Sequence, residues 1–388
     1  AQNFRSSLRA SASALGVPLG FALARATLRQ RAALRLALAA PMLLPPYSVA
    51  LAWTYLTGQQ SLFASLFDPN QLSVWTYSLP AAIAVLALAD YPLVMLATEV
   101  ALRRVDGRLE EAGLLVANRS RVIRRITLPL VAPSVAASGL IVFVLAISEF
   151  GVPGVLRVRV YTTEVFTAFA ALYDLPRAAA TALPLLLLCG GGAAIAMIAL
   201  GDRLVTVRRA TPTPRALLAT RARHVEIAVG LVVALSLLLP LAVLGREAMR
   251  SRSVTAALAG SVDAIVNSLW LAAASASVVV GLAMWLGYAR SRVAGIVGAS
   301  IDVALVTLFA VPSTLVGVGL IAIWNRPGPG GAIYGTDGML ILASVTRLLP
   351  VAVLILAAAV RSVPRSLEEA GAVAGAAWLR SAWYLVLP

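Results

Sequence analysis

Apolar stretches of bilayer-spanning length recur along the chain, and nine can be drawn, at about 8–24, 34–56, 80–101, 129–148, 180–200, 226–245, 267–289, 301–324 and 339–360. A helix of about 20 residues crosses the hydrocarbon core, and only helices or closed barrels satisfy the backbone there. The pattern predicts an all-α polytopic membrane protein with about nine transmembrane helices. The first stretch is short and follows Arg5 and Arg9, with a Gly16-xxx-Gly20 spacing that suits close helix packing. The fifth holds Cys189 and the run Gly190, Gly191, Gly192, whose apolar setting favours helix contact over a phosphate loop. Pro18, Pro41, Pro45, Pro46, Pro92 and Pro312 fall inside these stretches and predict kinks.

Composition agrees: 60% of the 388 residues are hydrophobic and 13% charged, too few charges for an ordinary soluble domain. All 32 basic residues are arginine, against 17 acidic ones, for a net charge of +15. Without lysine there is no Walker-type phosphate loop, so this chain is not expected to hydrolyse ATP, and it carries no cofactor of its own. One cysteine and one histidine (Cys189 and His224) exclude an internal disulfide and a Cys/His zinc site; no metal site and no catalytic cluster is expected. If the helices alternate in direction, the connections at 25–35, 101–127, 201–224, 290–300 and 361–387 carry 22 arginines and the alternate set carries 7. The basic excess is therefore an orientation signal, placing the first set in the cytoplasm, and not a nucleic-acid footprint. Residue 1 then starts outside, which suggests a preceding helix that the sequence lacks.

The chain copies itself. Residues 109–113 read LEEAG, as do 367–371, offset by 258, and each copy leads through a basic stretch to Leu-Pro, at Leu128-Pro129 and Leu387-Pro388. Pro92 matches Pro350 at the same offset, Pro41 and Trp53 match Pro312 and Trp324 at 271, and Gly16 and Arg25 match Gly281 and Arg290 at 265. This order predicts a parallel tandem repeat: a first half over 1–200 with its loop at about 104–129, a linker at 201–224, and a second half over 225–388 with its loop at about 362–388. The second half lacks the two helices that follow the loop in the first, so the sequence reads as truncated at both ends.

The segments beginning Glu111-Ala112-Gly113 and Glu369-Ala370-Gly371 resemble the EAA loop of binding-protein-dependent ABC importer permeases, roughly E-A-A-x-x-x-G and then L-P. The second copy has the motif glycine at Gly375, where the first has Ala117 and one residue fewer before Pro129. The resemblance implies a type I importer-like fold and a coupling helix in each loop, docked on a homodimeric ATP-binding cassette ATPase that holds ATP and Mg. It marks Glu110, Glu111, Ala112, Gly113, Ala117, Leu128 and Pro129, and Glu368, Glu369, Ala370, Gly371, Gly375, Leu387 and Pro388, as coupling residues. It further implies an extracytoplasmic substrate-binding protein as partner and a bacterial inner (cytoplasmic) membrane location. Two fused halves, with Pro45-Pro46-Tyr47 and Glu149-Phe150-Gly151-Val152-Pro153, are similar to the iron(III)-type permeases. Ferric iron is the expected substrate; thiamine, 2-aminoethylphosphonate or polyamine are the alternatives.

Charges inside apolar helices are costly and mark function by default. Asp90 and Arg347 are of this kind, and the Pro92/Pro350 match places them one residue apart in the repeat, which suggests that they meet. Glu149, where a helix reaches the outer face, is the third translocation-path candidate. An ion-coupled secondary transporter also uses repeats and midplane charges, but it has no ATPase for the paired loops to dock on.

Overall fold

The computed structural model describes residues 2–26, 28, 30–58, 68–205, 222–250 and 253–375. The order of helices is α1 (Gln2–Arg25), α2 (Arg31–Ala39), α3 (Pro46–Thr57), α4 (Pro69–Thr76), α5 (Leu79–Arg103), α6 (Gly107–Val116), α7 (Arg119–Val122), α8 (Leu128–Ser148), α9 (Gly151–Val155) and α10 (Tyr161–Ala170). There follow α11 (Leu175–Val205), α12 (Ala222–Val233), α13 (Leu239–Met249), α14 (Val254–Ala259), α15 (Val262–Arg292), α16 (Gly295–Ala310), α17 (Ser313–Trp324), α18 (Asp337–Ser362) and α19 (Arg365–Val373). The fold is all-α. Among the described residues, six helical stretches are long and apolar enough to cross a membrane, or up to eight if two bent pairs each count as one.

Those bent pairs correct the expectation of single helices at 34–56 and 301–324. The first turns through 89° between Leu43 and Pro46, the second through 90° between Ala310 and Ser313. Proline is the cause: it pushes the preceding residue out of the helical region. Leu44, before Pro45, has ψ 128°, and Val311, before Pro312, has ψ 124°. The weak first stretch forms a shorter apolar helix, Ala12–Arg25.

Pro129 and Pro240 have a different effect. Each is the second residue of an α-helix, and directly ahead of each lies a five-residue π-turn, at Ile123–Thr127 and at Ala234–Leu238. A proline has no N–H for the carbonyl four residues back and its ring crowds that carbonyl, so the helix widens there while continuing in line.

The chain divides into two compact units, one of residues 1–181 with 198–257, the other of 182–197 with 258–388. In the first, α1 lies along α5 at very close range: a Cβ on Gly16 would stand 2.7 Å from Val94 Cβ, and one on Gly20 would stand 2.5 Å from the Met95 carbonyl oxygen. Val225, Val229, Val232 and Val233 of α12 pack with Leu34, Leu38, Tyr91 and Met95, and Val243 of α13 packs with Ala52 and Leu56. The helix at 226–245, grouped by sequence with the second half, is thus cored with the first unit, because its β-branched stripe completes the face that α2, α3 and α5 leave open. In the second unit α15 lies along α18, closest at Gly287, where a Cβ would stand 2.8 Å from Leu356 Cβ. Gly190 of α11 approaches Thr307 of α16, leaving 3.0 Å for a Cβ, which bears out helix contact for that glycine.

Candidate functional site

The helix α6 carries the first LEEAG copy. Asp106 caps it by accepting from the Arg108 amide at 3.0 Å. Its buried side is built on Glu110, only 4% exposed. Glu110 Oε1 accepts from Arg25 Nη2 at 3.1 Å and from the Thr127 hydroxyl at 2.9 Å, while the same Nη2 also donates to the Leu102 carbonyl at 3.0 Å. The carboxylate so ties α6 to the end of α1 and to the turn that starts α8, and Arg25 extends the tie to the end of α5. Gly113 completes this side: a Cβ there would meet Ile126 Cδ1 at 2.7 Å and Val122 Cγ2 at 3.1 Å.

The opposite side of α6 is open. Glu111 is half-buried, Ala112 is exposed, and Leu115 and Val116 are 87% and 84% exposed, with Arg108, Arg119, Arg121, Arg124 and Arg125 around them also exposed. Ala117 ends the helix in an extended conformation, φ −149° and ψ 157°. Asn118 then caps α7 by accepting from the Arg121 amide at 3.0 Å. No left-handed residue is needed at this exit, which is why alanine serves at 117. The second loop leaves its helix differently: Gly375 has φ +76°, a conformation that favours glycine. In α19, Glu369 and Ala370 are exposed and Gly371 is half-buried. Glu368 lies on the same helix, whereas Leu387 and Pro388 fall outside the described residues. Pro129 stands at the start of α8 with Leu128, both exposed.

Each bent pair strands carbonyl groups that have lost their helical donors, and in a membrane these need another. In the first unit the Tyr91 hydroxyl, from α5, donates to the Leu38 carbonyl at 3.0 Å. In the second, Arg347 of α18 donates from Nη1 to the carbonyls of Phe309, at 2.7 Å, and Val311. The guanidinium also lies over the Phe309 ring, 5.1 Å from its centroid. Among the described residues of its own unit, no carboxylate stands within ion-pair distance of Arg347. Asp90 is half-buried on α5, near enough to Glu149 for the two charges to interact. Glu149 ends α8, and its Oε1 accepts from the amides of Gly151, at 2.8 Å, and Val152, capping α9. Among the described residues no group of three or more His, Cys, Asp or Glu is placed to hold a metal.

Residues 16–205 match the family described as "Binding-protein-dependent transport system inner membrane component". The match covers just under half of the chain. The matched segment runs from the α1–α5 contact through the whole Glu110 tie and both turns that flank α8. Among relatives, the chain is 30% identical over 138 residues to the molybdenum transport system permease protein ModB of Mycobacterium tuberculosis, covering 35% of this chain and 52% of that one. It is 33% identical over 118 residues to a 2-aminoethylphosphonate transport system permease protein of Salmonella typhi, covering 28% and 40%. It is also 31% identical over 120 residues to a ferric transport system permease protein of Haemophilus influenzae, covering 30% and 19%. The chain thus spans about half the length of the molybdenum relative and less of the others.

Within this chain the LEEAG motif points to Glu110 but not to its partners. Arg25 was visible only as a repeat match to Arg290, and Thr127 not at all. Arg290, the match of Arg25 in the sequence at an offset of 265, is also buried, but it is held in a bidentate pair with Asp302 of α16 at 2.6 and 2.7 Å. Tyr91 carried no signal beyond its place next to Asp90.

Proposed function

We propose that the chain is the membrane-spanning permease of an ATP-driven importer, with α6 and α19 as coupling helices. The supporting observation is the two-sided build of α6. One side is keyed by a buried ion pair to the ends of three membrane elements, and the other offers an apolar ridge in an arginine rim to a soluble partner. A push on that ridge reaches α1, α5 and α8 together. Energy comes from a homodimeric ATP-binding cassette ATPase that holds ATP and Mg, and substrate from an extracytoplasmic binding protein, at a bacterial inner membrane. The LEEAG copies and the two bent pairs support a tandem repeat with one coupling loop per half. Replacing Leu115 and Val116 with aspartate is expected to abolish co-purification with the ATPase while the thermal midpoint of the permease stays unchanged, since both side chains are exposed. Retained assembly, or uptake without the ATPase, would return the chain to the ion-coupled secondary transporters.

For the substrate, Arg347 favours an oxyanion. A guanidinium inside an apolar helix, anchored by carbonyls and without a carboxylate partner among the described residues of its own unit, keeps donors and a charge for a tetrahedral anion. Two of the relatives carry molybdenum and aminoethylphosphonate in their names. Arg347→Gln is expected to lower oxyanion uptake about tenfold or more, the loss of one charge-assisted contact, with ATPase assembly intact. Ferric iron, the expectation from sequence, is the second reading, favoured by the Asp90 and Glu149 carboxylates and the ferric relative. In that case Asp90→Asn lowers uptake and Arg347→Gln does not.

A further inference from the structure

On the arginine-rich side of the first unit, Glu99 of α5 is completely buried in an otherwise apolar run. Three guanidinium groups close on it. Arg35 Nε stands 3.1 Å from Oε2, Arg31 Nη2 3.6 Å from Oε1, and Arg103, one turn further along α5, donates to Oε1. One carboxylate balances one of three cations, so the cluster keeps a local excess of about two positive charges. Arg31 Nη2 faces Glu99 at ion-pair distance only, and Arg31 Nε is buried without a hydrogen-bond acceptor, so the carboxylate does not saturate this guanidinium. The three arginine side chains are nonetheless 32%, 44% and 47% exposed, so an acceptor can reach them from outside.

The surroundings indicate what kind of acceptor. The exposed face of α2 that carries Arg35 consists otherwise of Ala32, Ala33 and Leu36, the last 72% exposed, and Leu43 beyond it is 84% exposed. That is a face for acyl chains, with the guanidinium groups at its arginine-rich end. Guanidinium forks match phosphate oxygens in pairs, and Glu99 holds the three side chains in place before any ligand arrives. The cytoplasmic leaflet supplies anionic headgroups at this level, and basic pockets between membrane helices hold them.

We propose that Arg31, Arg35 and Arg103, organised by Glu99, bind the phosphate headgroup of an anionic phospholipid of the cytoplasmic leaflet. Inorganic phosphate shares the chemistry but has nothing to lay along Leu36 and Leu43. The inference stands independently of the importer reading.

The test is native mass spectrometry of the full chain in detergent, exposed to phosphatidylglycerol, phosphatidylcholine or inorganic phosphate. Phosphatidylglycerol is expected to be retained in preference to phosphatidylcholine and not to be displaced by phosphate. Arg35→Gln combined with Arg103→Gln is expected to lower that retention about thirtyfold, as the loss of two charges beside an anionic leaflet implies. The double lysine variant, which keeps both charges, should retain the lipid, and Arg250→Gln, on the opposite side, should change nothing. Because Arg31 still faces Glu99 in the glutamine variant, its thermal midpoint is recorded alongside. Equal retention of phosphatidylcholine, undiminished binding by a folded glutamine variant, or full displacement by phosphate would each overturn the proposal. If the glutamine variant does not fold, a lysine variant that loses the lipid would overturn it too.

Discussion

Arg25→Ala is expected to destabilise the chain by about 3–5 kcal/mol, the range for removing one partner of a buried ion pair. Both side chains are nearly inaccessible, at 3% and 6% exposure. With Arg25 gone, only the Thr127 hydroxyl still donates to the buried Glu110 carboxyl group, and the Leu102 carbonyl loses its side-chain donor. Glu110→Ala is expected to cost a similar amount by stranding the guanidinium. Replacing both by apolar residues of like volume, Arg25→Met with Glu110→Leu, should recover most of the loss, because desolvating the pair costs nearly as much as its attraction returns. Thermal unfolding of the four proteins in detergent makes the comparison. Single variants that each cost less than about 1 kcal/mol would show that the pair is not what holds α6 to the membrane helices.

Gly20→Ala is expected to be nearly as damaging, at about 2–3 kcal/mol, although it adds one methyl group. That methyl would stand 2.5 Å from the Met95 carbonyl oxygen and 2.7 Å from Thr98 Cβ. Backbone and Cβ atoms cannot swing aside, so α1 must move away from α5. Gly16→Ala meets the Tyr91 carbonyl at 2.9 Å and should behave alike. Gly191 and Gly192 provide the contrast: nothing lies within 4 Å of a Cβ at either. Alanine there is expected to be neutral or to stabilise by up to about 1 kcal/mol, through helix propensity. Equal midpoints for the Gly20 and Gly191 variants would refute the close approach of α1 and α5.

Much of this architecture was legible from apolar run length, because a membrane helix must satisfy its own backbone and so announces itself by composition. The Gly16-xxx-Gly20 spacing pointed to the α1–α5 contact, and the LEEAG motif pointed to α6. Proline announced a disturbance without saying which kind. Pro45 and Pro312 break their helices through right angles, while Pro129 only widens the turn before it, a difference decided by whether the helix continues to pack. What stayed hidden was pairing. Arg25 and Glu110 are 85 residues apart, and Glu99 shows only its i+4 partner Arg103 until α2 is folded beside it. Arg347 has its resolved hydrogen bonds to carbonyl oxygens, which every residue has, so no pattern of side chains could indicate them. The proline alignment that suggested a meeting with Asp90 carries no information about backbone acceptors.

The stranded carbonyls at the two helix breaks are served by a phenol in one unit and a guanidinium in the other, and this sets a limit on how the chain can be rebuilt. The donors are equivalent as hydrogen-bonding groups but not as charges. A chimera assembled from two copies of the first half would keep both bends and carry no cation at either. One assembled from two copies of the second would carry two. The two units therefore differ in charge at their corresponding breaks, and neither bent segment can stand in for the other without adding or removing a cation.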